Sequence, residues 1–248
     1  MNMTKIALIT GANRGLGLAT ARRLAGFDFT VLIGARDALS GERAAHDLRA
    51  EGLDAQPVAI DVTSAESVQA AAEVVASRYG RLDVLINNAG ILPEATAEEG
   101  SAPFDLQMFK KTFDTNVFGI VSAIHEFLPL LRKAEGGRVV NVSSTMGSLA
   151  DQGDPASPYY GVIVPAYQAS KAAVNAITVS LAKLLEDTPI KVNSVCPGWV
   201  QTDLGGPANR AAAPSTADDA SRIVVEMALL TDDGPTGQFV DYAGTVAW

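Results

Sequence analysis

The run Lys5-Ile6-Ala7-Leu8-Ile9-Thr10-Gly11-Ala12-Asn13-Arg14-Gly15-Leu16-Gly17 decides how this chain is read. A short apolar segment of strand length stops at a turn holding three glycines, and a helical stretch from Leu18 to Ala25 follows, closed by Gly26. An apolar run bounded by glycine reads as a buried strand. Glycines in the turn let backbone approach backbone and ligand, and the helix start offers free N–H groups to a pyrophosphate. The spacing is G-x-x-x-G-x-G, not the commoner G-x-G-x-x-G. Its setting between strand and helix, more than the bare pattern, marks the opening of a dinucleotide-binding fold.

The same alternation continues outward. Strand-like runs at Phe29 to Gly34, Gln56 to Ile60 and Leu82 to Ile86 alternate with helical stretches at Leu39 to Ala50 and Ala65 to Tyr79. Strands alternating with helices predict an α/β fold, a doubly wound and mostly parallel sheet flanked by helices. Residues 91–104, with Pro93, Gly100 and Pro103, read as an exposed connection. Helical stretches over 105–114 and 117–134 follow, with Asn116 between or inside them, then a strand at Arg138 to Val142. Residues 145–165 are glycine- and proline-punctuated and read as loop. A long helix from Ala166 to Asp187, a strand from Ile190 to Val195, a helix from Ala217 to Leu230 and a short strand at Gly237 to Val240 complete the chain. Residues 204–215 are rich in Gly, Ala and Pro and read as a mobile segment, a candidate substrate lid. With no repeat, linker or second core, 1–248 is one domain.

Bulk composition narrows the function classes. Of 248 residues, 48% are hydrophobic and 19% charged, which suits a packed globule. A net charge of −9 argues against a nucleic-acid surface, which needs a basic face. Cys196 is the sole cysteine, so there is no disulfide framework or thiolate cluster, and it reads as a small buried strand residue. His46 and His125 lack partners at metal-ligand spacing, so no metal is expected. No run of about 20 apolar residues suggests a membrane span. Met1-Asn2-Met3 leads into the first strand without signal-peptide features, which makes cytoplasm the default.

Three places carry chemistry. At the end of the second strand stand Ala35 and Arg36, where an arginine suits the 2′-phosphate of NADP and an acid would suit the ribose hydroxyls of NAD. Arg14 can reach the same phosphate, and two guanidiniums match a dianion in charge and fork geometry. Asp37 is the competing NAD acid, read here as the cap of the next helix. Asp61, at the end of the third strand, is placed to accept from an adenine amino group or to cap the helix after Ser64. Asn87-Asn88-Ala89-Gly90 supplies small residues for close approach of a flat ligand. Finally, Tyr167 and Lys171 stand four apart on the long helix, on one face. A phenol titrates near pH ~10, and an adjacent ammonium favours the phenolate and is expected to lower that value.

Taken in order, Thr10-Gly11-x-x-x-Gly15-x-Gly17, Asn87-Asn88-Ala89-Gly90, Asn116, Ser144, Tyr167-x-x-x-Lys171 and Pro197-Gly198 resemble the short-chain dehydrogenase/reductase family of the classical type, across essentially the whole chain. The resemblance implies a Rossmann-like sheet of about seven strands and hydride transfer between a nicotinamide and a carbonyl or alcohol. It implies Tyr167 as general acid, Ser144 as donor to the substrate carbonyl, Lys171 as ribose ligand, and Asn116 as support for a proton-refilling water chain. It places the cofactor against Gly11, Asn13, Arg14, Gly15, Leu16, Gly17, Arg36, Asp61, Val62, Asn88, Ala89, Gly90, Tyr167, Lys171, Pro197, Gly198, Val200 and Thr202. Ser143 is the alternative to Ser144; the family register favours the second serine.

The Ser144-to-Tyr167 interval is longer than the usual pattern, with Asp154 to Pro165 as the extra residues. This resembles carbonyl-reductase-like members and leaves monomer or homo-oligomer open. The expected function is NADPH-dependent reduction of a ketone or aldehyde. An NAD-dependent alcohol dehydrogenase using Asp37, and a cofactor sensor without turnover, are the alternatives; a nucleotide-sugar epimerase or dehydratase ranks behind them. Leu92, Met146, Leu149, Tyr159, Trp199 and Leu204 are the expected apolar lining, which suits a medium-sized, partly apolar carbonyl compound.

Overall fold

A computed structural model describes residues 4–97 and 104–248. Met1-Asn2-Met3, on which the leader reading rested, and Gly100 and Pro103 lie outside the described residues. The strands are β1 (Lys5–Thr10), β2 (Phe29–Ala35), β3 (Ala55–Ala59), β4 (Val84–Asn87), β5 (Arg138–Val142), β6 (Lys191–Val195), β7 (Phe239–Asp241) and β8 (Gly244–Thr245). They form one sheet in the order β3-β2-β1-β4-β5-β6-β7-β8. Pairing is parallel through β7; for β1 and β2, Lys5 lies opposite Phe29 and Thr10 opposite Gly34. The seven expected strands are there, and β8 is an antiparallel two-residue addition, Val240 opposite Thr245. Two residues carry no alternation to read, so no periodicity announces it.

The helices are α1 (Gly15–Ala25), α2 (Ala38–Ala50), α3 (Ala65–Tyr79), α4 (Leu106–Phe113), α5 (Gly119–Leu131), α6 (Leu149–Gly153), α7 (Pro165–Leu184), α8 (Gly206–Ala212) and α9 (Ala217–Ala228). Strand side chains alternate between two cores. Ile6 and Leu8 pack with Val68 and Val75 of α3, Phe127 of α5 and Val174 of α7. Ala7 and Ile9 pack with Leu24 of α1, Leu48 of α2 and Val224 of α9. With both faces covered, β1 and β2 are buried nearly end to end, which is why they read as continuous apolar runs. From β1 the chain runs outward through β2 and β3, then returns to β4 on the other side of β1. In such sheets ligands bind beyond the carboxyl ends of the strands at that switch point.

Three segments depart from expectation. Asn116 lies in a π-helical turn, Asp114–Phe118, that joins α4 to α5 as one continuous helical run. The 145–165 stretch is not all loop: a 3-10 turn at Thr145–Gly147 precedes α6, which Ser148 caps through the Asp151 N–H. Segment 204–215, the candidate lid, carries a 3-10 turn, Asp203–Gly205, followed by α8, and a bridge between Val200 and Ser215 closes its base. Elements of one or two turns fall below the length at which helical periodicity shows. Among the described residues no helix is long and apolar enough to cross a membrane, and no three-residue group of His, Cys, Asp or Glu could hold a metal.

Candidate active site

The loops after β1 and β4 are locked together first. Thr10 Oγ1 accepts from the Asn88 and Ala89 N–H groups, each at 3.0 Å, and Asn88 Nδ2 donates to the carbonyls of Thr10 and Gly11. Gly17 sits in the grip of this lock: a Cβ there would stand 2.5 Å from the Gly11 carbonyl oxygen and 2.6 Å from Asn88 Nδ2. The third glycine of the motif is thus a packing requirement between α1 and the two loops. The start of α1 has no side-chain cap and no acid in its first turn. Its first N–H groups are therefore left without a side-chain acceptor from the helix itself, and Gly15, Leu16 and Gly17 border the adjoining cavity, as an anion site requires.

That cavity measures about 1060 Å³ and is lined by Gly11, Asn13, Arg14, Gly15, Leu16, Gly17, Arg36, Asp61, Val62, Asn88, Ala89, Gly90, Ser144, Tyr167, Lys171, Pro197, Gly198, Val200 and Thr202. Every expected site residue therefore borders one space except Asn116. Arg36 is exposed, with no hydrogen bond or ion pair among the described residues. Asp37 caps α2: its Oδ2 accepts from the Ser40 N–H at 2.9 Å, and that bond holds the carboxyl below its ordinary range. Arg14 turns across the cavity to Asp203, Nη1 to Oδ2 3.3 Å, and Arg210 reaches the other oxygen at 2.9 Å. Asp61 does not cap α3. Its Oδ1 accepts from the N–H and hydroxyl of Thr63, and Ser64 is the cap, because its hydroxyl stands in reach of the Ser67 N–H.

At the other end, Lys171 and Tyr167 are almost wholly buried. Lys171 Nζ donates to the Val142 carbonyl at 2.8 Å and lies 5.5 Å from the centre of the Tyr167 ring. Burial dominates both groups. It lowers Lys171 from 10.5 to about 8, and it pushes the Tyr167 hydroxyl well above the ordinary phenol range, with Cys196 adding to the rise. The expected lowering of Tyr167 by Lys171 is therefore reversed in the unliganded chain. Desolvation acts directly on the phenol, whereas the ammonium spends its contact on a backbone carbonyl. Contact with Ser144 pulls Tyr167 the other way, towards phenolate.

Ser144 and Ser143 separate by their commitments. Ser143 is 2% exposed and its Oγ donates to the Lys171 carbonyl, whereas Ser144 Oγ accepts from the Met146 N–H and turns towards Tyr167 at the cavity wall. Gly147 lets this turn meet α7, since a Cβ on it would stand 2.5 Å from the Lys171 carbonyl carbon. Asn116 is fully buried behind the wall. Its side chain accepts from the Ile91 N–H and donates to the Ile91 carbonyl and to Ser170 Oγ, so it fastens the β4 loop to α7.

On the substrate side, Leu92, Met146, Tyr159, Trp199 and Leu204 border the cavity as expected. Leu149 does not: it opens α6 and is 69% exposed. Gln168 straps the extra segment onto α7, donating to the Val162 carbonyl and accepting from the Val164 N–H. Asn209 and Arg210 also line the cavity, within the 199–213 range expected to border the substrate; Ser40 and Thr115 line it too, and sequence reading missed them. Ser40 alone left a signal, three residues after a capping acid. Cys196 is buried as expected, but beyond β6 rather than in it, where Sγ accepts from the Thr145 N–H.

Residues 5–213 match the family model described as short chain dehydrogenase. The short-chain dehydrogenase anuI of Penicillium roqueforti is 37% identical, over 97% of this chain and 95% of its own. Carbonyl reductase (NADPH) 1 of Sus scrofa is 33% identical, over 99% of this chain and 94% of its own. The crystal structure of NADPH-bound carbonyl reductase from chicken fatty liver superposes with a TM-score of 0.82 at 28% identity, covering 100% of both chains.

Proposed function

The chain belongs to the short-chain dehydrogenase family, and from that membership we propose that it reduces a ketone or aldehyde with NADPH, Tyr167 acting as general acid. The supporting observation is one cavity with the buried Tyr167 and Lys171 and the half-buried Ser144 at one end and, at the other, an Arg36 unpaired among the described residues. The residues present fit the cofactor. The uncapped start of α1 suits its pyrophosphate, and Arg36, with no carboxylate of its own, suits a 2′-phosphate. Asp37 is poorly disposed to bind ribose hydroxyls, because its carboxylate is engaged in capping α2. The relatives named for NADPH point the same way.

When bound, NADPH supplies the hydride that reduces the carbonyl carbon. The chain's own task is the oxygen. As negative charge grows there, Ser144 and Tyr167 donate hydrogen bonds to it, and Tyr167 then delivers its proton. The raised Tyr167 keeps that proton at neutral pH, the form a reduction requires. Lys171, with one N–H on Val142, has two further N–H groups for the ribose, and its charge stabilises the phenolate left behind. Leu92, Met146, Tyr159 and Trp199 favour a substrate with apolar surface beside its carbonyl.

The test is a panel of aromatic and aliphatic ketones and aldehydes, scored by cofactor oxidation with NADPH and NADH in parallel. Turnover of several compounds, faster with NADPH, is expected. No consumption across the panel would remove the reductase reading, and equal use of NADH would remove the cofactor assignment.

A further inference from the structure

The helix that carries Tyr167 has no cap of its own. Its N-cap residue, Val164, offers no side-chain bond, and Pro165, at the first helical position, has no N–H. The Gln168 N–H is satisfied by the Val164 carbonyl. Two donors of the first turn remain, those of Ala166 and Tyr167. Both are taken by one side chain from 72 and 73 residues away: Glu94 Oε1 accepts from Ala166 N at 3.0 Å and Oε2 from Tyr167 N at 2.8 Å. A carboxylate bridging two N–H groups at a helix start gains from charge-assisted bonding and from the helix dipole.

We propose that Glu94 is a positioning residue for the reaction, a cap supplied by the β4 loop that fixes where the Tyr167 hydroxyl points. The proposal rests on the reading of Tyr167 as proton donor. Tyr167 is held on both sides of its Cα, its N–H by Glu94 and its carbonyl by Ser170 Oγ at 2.7 Å. A small rotation of that backbone is magnified along the side chain to the phenol oxygen. Glu94 is half-buried in the Pro93–Thr96 turn, and that turn follows directly on Ile91 and Leu92, which line the cavity. Asn116 fastens the same loop at Ile91. Thr96, at the end of the turn, packs against Gly206 at the start of α8. One carboxylate therefore registers the substrate-side wall against the catalytic helix, and a change in that wall is felt at the proton donor.

The experiment compares Glu94→Ala and Glu94→Gln with the unaltered protein by two readouts. Amide hydrogen exchange in the cofactor-free protein should show Ala166 and Tyr167 protected, and exchanging about tenfold or more faster in Glu94→Ala. In turnover, kcat for a carbonyl should fall about tenfold to a hundredfold in Glu94→Ala, as small misplacements of reacting groups do, with NADPH affinity within about twofold. Glu94→Gln, whose amide oxygen can accept one of the two bonds, should fall between them. If Glu94→Ala does not fold, Glu94→Gln carries the same test at smaller amplitude. Unchanged kcat beside a lowered melting temperature would make Glu94 a stability cap only and overturn the proposal, as would unchanged exchange. If the unaltered protein turns over no carbonyl, the functional reading fails, and the exchange result still decides whether Glu94 holds the Tyr167 backbone.

Discussion

Burial drives Lys171 and Tyr167 in opposite directions from their ordinary values, and both shifts favour the uncharged form. For Lys171, the fall from 10.5 to about 8 corresponds to about 3 kcal/mol of penalty for burying the ammonium. Below pH ~8 both states hold the proton and the penalty is complete. Between about 8 and 10.5 only the unfolded chain holds it, so stability rises with pH. Above about 10 the unfolded chain loses the tyrosine proton that the folded chain keeps, so stability falls. Urea midpoints of the unliganded protein should therefore climb from pH 8, peak near 10 and decline. Lys171→Met should abolish the climb, and Tyr167→Phe should make the decline shallower, the remainder coming from Tyr79 and Tyr242, which burial also raises. The spacing of these two residues was legible in the sequence; the sign of the tyrosine shift was not, because desolvation depends on what packs around the ring. At the far end, Arg36→Ala should weaken NADPH about tenfold or more, the weight of one charge-assisted contact, and leave NADH unchanged. Asp37→Ala should lower thermal stability without exchanging the cofactor preference, since the carboxylate caps α2. Titration calorimetry with both nucleotides checks the pair.

Among elements, α7 depends on the turn that faces it. Gly147→Ala would drive a methyl group into the backbone of Lys171, and overpacking of this kind costs about 1–3 kcal/mol. The expected result is a lower melting temperature together with a lower kcat, because the displaced backbone carries Lys171 and lies one turn from Tyr167. Thermal denaturation and turnover on one preparation check it. The long elements were legible, since β1, β2 and β4 are apolar runs and α3 and α7 span several turns. The short ones were not. The π-helical turn at Asn116 breaks the 3.6-residue period that would announce it, and its purpose is visible only once Ile91 and Ser170 lie beside the carboxamide. Likewise α6 and α8 are of one to two turns, and Gly, Ala and Pro in 204–215 describe a tight helix packed on Thr96 as readily as a mobile loop.

At the scale of the whole molecule, strand alternation predicted a doubly wound sheet, and the order β3-β2-β1-β4-β5-β6-β7 places the glycine loop, Asn88, Ser144 and Pro197 along its carboxyl edge. Motifs separated by up to 180 residues meet there because parallel strands bring all their carboxyl ends to one side. What the sequence could not supply is the long-range fastening that joins them: Asn88 to Thr10, Asn116 to Ile91, Glu94 to Tyr167. A chain of net charge −9 nevertheless presents Arg14, Arg36, Lys171 and Arg210 around one cavity, against Asp37, Asp61 and Asp203, so the lining is less acidic than the molecule as a whole. On the proposed function the two ends of that cavity have separable tasks, cofactor capture and proton delivery. Tyr167→Phe separates them in one measurement, turnover of an accepted carbonyl alongside the dissociation constant for NADPH. Loss of turnover by at least about a hundredfold with NADPH affinity nearly unchanged is predicted. Retained turnover would contradict the assignment of the proton to Tyr167.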